Sequence, residues 1–89
     1  MNDQATPRLG KGVKLRHDPD GSVMLLVPEG ALMLNPAAAL ALALVDGERS
    51  FTQIVDAIVE QFDVTRDVAR SDLSDLFDRL EARWFVRAS

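Results

Sequence analysis

Residues 25–62 read LLVPEGALMLNPAAALALALVDGERSFTQIVDAIVEQF, and each junction in this stretch carries its own chemical signal. Pro28-Glu29-Gly30 is a turn between two apolar runs, because proline pre-sets φ and glycine accepts a positive one. Asn35-Pro36 starts a helix: the asparagine oxygen can take an orphan amide, and proline fits the first helical position. Asp46-Gly47 reads as the stop of that helix, with glycine in the left-handed position after its last turn. Ser50-Phe51-Thr52-Gln53 has the spacing of a capping box for the helix that follows.

The flanks extend the pattern. Val13 and Leu15 alternate with Lys14 and Arg16, the period of a half-buried strand. Asp18-Pro19-Asp20-Gly21 is then a hairpin turn. Val23 to Val27 is apolar throughout, which predicts a central strand covered from both sides. Ala31 to Leu34 forms a short third strand at the edge. Ala37 to Val45 is apolar all round and predicts a buried helix. Phe51, Ile54, Val55, Ile58, Val59 and Phe62 make the stripe of an amphipathic helix. The last helix starts at Thr65 as N-cap, with Asp67 in its first turn and the stripe Ala69, Leu73, Leu76, Phe77, Leu80 and Trp84. Asp75 and Arg79 are spaced to pair on its wet side. The prediction is an α+β fold, a three-stranded antiparallel β-meander followed by three α-helices, winged helix-turn-helix-like. One domain spans residues 1–89, with 1–7 as a flexible or partner-contacting tail.

In this order and spacing, the joints Pro28-Glu29-Gly30, Leu34-Asn35, Asp46-Gly47 and Ser50 resemble the PqqD family, the small pyrroloquinoline quinone synthesis protein D. The resemblance covers roughly Arg8 to Val86. Two positions depart from it. Val27 stands where an aromatic residue is common, and Arg83 or Trp84 stands where a glycine often follows the last helix. The resemblance implies a peptide-binding adaptor, or recognition element, without a cofactor of its own. Such a protein binds a ribosomally made precursor peptide, PqqA, and presents it to a radical S-adenosylmethionine enzyme, PqqE, which crosslinks a Glu and a Tyr side chain of the peptide.

Composition narrows the chemistry independently. A hydrophobic content of 47% with 27% charged residues suits an ordinary soluble globular domain. The chain has no cysteine, so it has no disulfide, thiolate nucleophile or sulfur-ligated metal of its own. The run Ala37 to Val45 is too short to span a bilayer, and the N-terminus lacks the apolar segment of a signal peptide. A cytoplasmic location is the expectation. His17, the single histidine, sits beside a turn with no partner for catalysis or metal binding. Asp18, Asp20 and Glu29 have a trace of calcium-loop spacing, but Val23 occupies the position that needs glycine. No phosphate loop or nucleophile elbow is present.

The acidic excess behind the net charge of −4 lies beyond residue 16, whereas Arg8, Lys11, Lys14 and Arg16 make the start basic. This polarity suits either two solvated faces or docking to a charged partner. The last helix sets Arg66, Arg70, Arg79 and Arg83 against Asp67, Asp72, Asp75, Asp78 and Glu81. A helix that reads DNA is normally basic, so an acidic winged-helix DNA-binding or dimerisation module is the weaker alternative.

The binding mode these residues allow is β-augmentation. An extended peptide would add a strand along Ala31, Leu32, Met33 and Leu34. Leu73, Phe77 and Leu80 would supply pockets, and Arg70 would meet a peptide carboxylate. For most of these leucines and Phe77 plain core is the better reading, and only residues at the strand-facing rim can serve both. Met24, Leu26 and Met33 form a strip that the helices cannot cover. The N-terminal segment, a partner or a second copy in a homodimer could cover it.

Overall fold

The protein is described over residues 1–89 by a computed structural model. Its elements are β1 (Arg8–Leu9), β2 (Lys14–His17), β3 (Val23–Val27), β4 (Gly30–Leu34), α1 (Pro36–Ala43), α2 (Phe51–Gln61), α3 (Arg66–Ala82) and β5 (Val86–Arg87). β2, β3 and β4 form an antiparallel meander with β3 in the centre, and Leu25 pairs with both Leu15 and Leu32. This is the predicted sheet followed by the three predicted helices. The short pair β1–β5 is an addition. Two-residue strands leave no period to read, and their partners are nearly the whole chain apart.

Each helix starts where its cap stands. The Asn35 side chain accepts the Ala38 amide at 2.8 Å. Ser50 and Gln53 exchange both bonds of the capping box, at 2.8 and 3.2 Å. Thr65 Oγ1 accepts the Val68 amide at 3.3 Å. The core joins Leu25 of the sheet to Leu42 of α1, Phe51, Ile54 and Val55 of α2, and Leu73 and Phe77 of α3. At its centre the Phe51 and Phe77 rings meet edge to face, 5.7 Å apart.

Three expectations about α1 and the sheet change. α1 buries only Ala38, Ala41 and Leu42; its other alanines are small enough to face solvent at little cost. The helix also ends earlier than Asp46-Gly47. Its last amides turn back to Ala41 and Leu42 in tight i→i+3 bonds, and Gly47 (φ +80°) belongs to the next loop. There the Asp46 carboxylate accepts the amides of Arg49 and Glu48, each at 2.9 Å. Finally, β3 is covered on one side only: Leu25 is enclosed, while Met24 and Leu26 remain half-buried on the outer face.

Trp84 lies beyond α3 instead of on its stripe. It takes φ +66° and is 72% exposed. The chain thus has a left-handed residue where the resemblance implied a glycine, and the reversal brings Phe85 and Val86 into the core. A Cβ at Gly10 would overlap the Trp84 carbonyl, so only glycine permits β1 to pass this close.

Residues 1–7, read as a tail, pack against α2 and α3. The Phe51 amide donates to the Ala5 carbonyl at 2.8 Å, Thr52 bonds to the Asp3 carbonyl, and Ala5 and Pro7 are buried. This segment does not lie over Met24, Leu26 and Met33.

Two outcomes follow from the loops. Trp84→Gly relieves a left-handed tryptophan that buries little, so thermal unfolding should show a gain of about 0.5–1 kcal/mol. The Arg49 amide bond, then that of Glu48, holds the Asp46 carboxyl below its ordinary pKa. A depressed folded-state pKa stabilises fully above the unfolded value and is lost as pH falls through the folded one. Asp46→Asn should therefore lose stability less steeply below about pH 4 in an acid titration followed by circular dichroism.

Candidate functional site

β4 is a sheet edge with one neighbour, β3. Val27 and Gly30 pair directly across the two-residue loop Pro28-Glu29. In an antiparallel hairpin the pair closing such a loop exchanges both hydrogen bonds, and the pattern then alternates. The backbone groups of Leu32 and Leu34 therefore point to β3, while those of Ala31 and Met33 point outward. Side chains alternate between the faces of the sheet. Leu32 and Leu34 share the face of Leu25 and Val23, turned toward the helices; Ala31 and Met33 share the outer face with Leu26 and Met24.

Beneath this edge runs a groove. Its first part, about 320 Å³, lies between β4 and α3 and is lined by Leu32, Met33, Leu34, Leu76, Arg79, Leu80 and Arg83. Leu76 and Arg79 also line a second part of about 300 Å³, with Asn35, Ala37 and Ala38 at the start of α1 and Asp72, Leu73 and Asp75 on α3. The groove is apolar along its floor, cationic toward the Pro28-Glu29 turn and anionic toward α1. Arg83 is held by Glu29 at 3.5 Å and by the Phe85 ring. Arg79 donates from Nε to the Asp75 carbonyl at 3.3 Å. The expected Asp75–Arg79 ion pair does not form, and Arg79 faces the groove instead.

The candidate residues divide accordingly. Ala31, Leu32, Met33 and Leu34 form the edge, and Met33 is 77% exposed. Leu73 is core with one side at the α1 end of the groove. Phe77 is wholly enclosed against Phe51 and offers no pocket. Arg70 is on the far flank of α3, bonded to Asp3 and stacked 5.8 Å from the Phe51 ring. Six residues separate it from Leu76, which turns it about 120° away from the groove. Leu76, Arg79 and Arg83 join the earlier candidate Leu80 on the α3 wall of the groove. Their i, i+3, i+4, i+7 spacing was visible in the sequence, but nothing there said which flank of α3 faces β4.

Asp18 and Asp20 hold no metal-like cluster: Asp18 pairs with Arg16, and Asp20 accepts from Ser22. No helix is long and apolar enough to cross a membrane.

The family described as Coenzyme PQQ synthesis protein D (PqqD) matches residues 22–86. The chain belongs to the PqqD family. A PqqA binding protein of Azotobacter vinelandii is 35% identical over 85 residues, 94% of this chain and 90% of that one. Among solved structures, the PqqD part of Methylobacterium extorquens PqqCD is described as a functional, stand-alone recognition element for ribosomally synthesized and post-translationally modified peptides. It aligns with a TM-score of 0.75 at 29% identity, covering 91% of this chain and 87% of that one. TbiB1, solved in complex with the TbiA(β) leader peptide, shares the fold with a TM-score of 0.75 at 24% identity, over 90% of this chain and 94% of that one. The PqqD fold therefore accounts for the sheet, the three helices and nearly the full length.

Core and groove residues should separate in stability measurements. Phe77→Ala leaves a large cavity and should cost about 3–5 kcal/mol by chemical denaturation. Arg79→Ala removes an exposed side chain and should stay within about 0.5 kcal/mol of the parent.

Proposed function

We propose that this PqqD-family chain is a peptide-binding adaptor of pyrroloquinoline quinone biosynthesis, which holds the precursor peptide PqqA and presents it to the radical S-adenosylmethionine enzyme PqqE. The observation that carries the reading is the outward backbone of Ala31 and Met33 above an apolar groove, in a family with relatives named for binding PqqA. The peptide adds as a strand to β4. Its alternate side chains enter the groove between Leu32, Leu34, Leu76 and Leu80. Backbone pairing supplies affinity that is independent of side chains, and the groove selects among sequences. Leu73 contributes at the α1 end; Phe77 supports α3 from within.

The chemistry of the crosslink belongs to the enzyme. This chain has no cysteine to hold an iron–sulfur cluster, and its part is to order a flexible substrate. Purified with PqqA and S-adenosylmethionine, it should leave the peptide's mass unchanged, and it should raise the yield of crosslinked product once PqqE is added. Product formed without PqqE would overturn the adaptor reading.

Met33→Pro tests the mode of binding. It removes an outward amide at a sheet edge, where proline is tolerated, so the variant should fold while PqqA affinity falls at least ~10-fold. Affinity is read from an NMR titration of the labelled protein, with circular dichroism as control. In the parent, shifts should concentrate on β4 and on Leu76 to Arg83. Unchanged affinity in the proline variant would move the site elsewhere. Concentration-dependent sedimentation without peptide would show the same edge pairing with a second copy.

A further inference from the structure

β-Augmentation leaves one ambiguity that leucines cannot resolve. A peptide that slips along β4 by two residues keeps the same side chains facing the groove. Leu32, Leu34, Leu76 and Leu80 would accept either register at similar energy. The charges along α3 differ between the two positions.

Arg66 pairs with Asp56, Arg70 with Asp3 and Arg83 with Glu29. Arg79 makes no ion pair. Its single bond, to a carbonyl of its own helix, engages Nε and leaves the terminal guanidinium nitrogens without a protein acceptor. It stands over the apolar floor between β4 and α3. Asp72 and Asp75, at the α1 end of the same groove, also lack a cationic partner.

We propose that Arg79 receives a carboxylate of the bound peptide, and that Asp72 and Asp75 repel that carboxylate from the α1 end, so that charge sets the peptide's register on β4. The inference rests on the groove being the peptide site. A guanidinium offers parallel donors to a carboxylate, and the covering peptide excludes water from the pair, which strengthens it. The spacing suits discrimination. Arg79 and Asp72 are about 10 Å apart along the helix axis, and a two-residue slip moves a strand by about 7 Å. A slip toward α1 thus carries the carboxylate from a cation to a pair of anions, an unfavourable contact as well as a lost favourable one. Arg83, already neutralised by Glu29, contributes less.

The test is a coupling measurement on PqqA peptides. Each acidic residue of the peptide is changed to its amide, one at a time, and affinity is measured for the parent, Arg79→Gln and Arg83→Gln. One acidic position should lose about five- to tenfold in affinity with the parent and with Arg83→Gln. The same amide should bind Arg79→Gln as well as the unmodified peptide does. Equal losses with all three proteins, or coupling to Arg83 alone, would overturn the proposal. A spin label at one end of the peptide should broaden one end of β4 in the parent, and both ends in the double variant Asp72→Asn with Asp75→Asn. An unchanged pattern there would overturn the role of the aspartates. Met33→Pro separates the two levels. If it abolishes binding and no acid couples to Arg79, the charge reading fails and the groove stands. If it binds like the parent, both fall.

Discussion

The edge-to-face contact of Phe51 with Phe77 decides how this small protein presents itself. Both rings are fully enclosed, and they tie α2 to α3 at one angle of rotation about the α3 axis. With Ala69, Leu73, Phe77 and Leu80 committed inward, the remaining residues of α3 have no freedom of face. Leu76, Arg79 and Arg83 fall toward β4, while Arg70, Ser74 and Asp78 fall toward the N-terminal segment. The partition of charge along the groove is a consequence of that rotation.

A three-stranded sheet this short cannot be wrapped by three helices, so it must leave some edge or face unserved. The chain spends its remaining segments elsewhere. β1 and β5 join the two ends of the chain, the Gly10–Trp84 approach tightens that junction, and residues 1–7 close over α2 and α3. β4 is left with outward amides and carbonyls above a wall of leucines. In most proteins such an edge is a liability. On the proposed reading it is the means of binding, because the backbone of any extended peptide can satisfy it.

Selectivity must then come from side chains, and a row of leucines is a weak reader. The groove adds a cation without a partner in its middle and two anions at one end. Surface ion pairs contribute little to stability, so leaving Arg79 and Asp75 unpaired costs the fold almost nothing. The same groups become more effective once a ligand excludes water around them.

The sequence by itself determined the order of elements, the helix starts and the edge position of the third strand of the meander. These features rest on interactions within a few residues: Asn35 with Ala38, Ser50 with Gln53, Thr65 with Val68, and the two-residue loop after Val27. It also excluded thiol chemistry outright. The tertiary structure decided what depends on rotation and on distant pairing. It placed Phe77 in the core and Arg70 on the far flank, where the sequence allowed both to serve a groove. It turned Arg79 from a solvent-side partner of Asp75 into a groove residue, ended α1 at Ala43 ahead of the Asp46-Gly47 signal, and joined Arg8–Leu9 to Val86–Arg87. A stripe at i, i+3, i+4 states which residues share a helix face. Which neighbour each flank of that face meets is set by packing among elements remote in sequence, and that information appears only when the chain is folded.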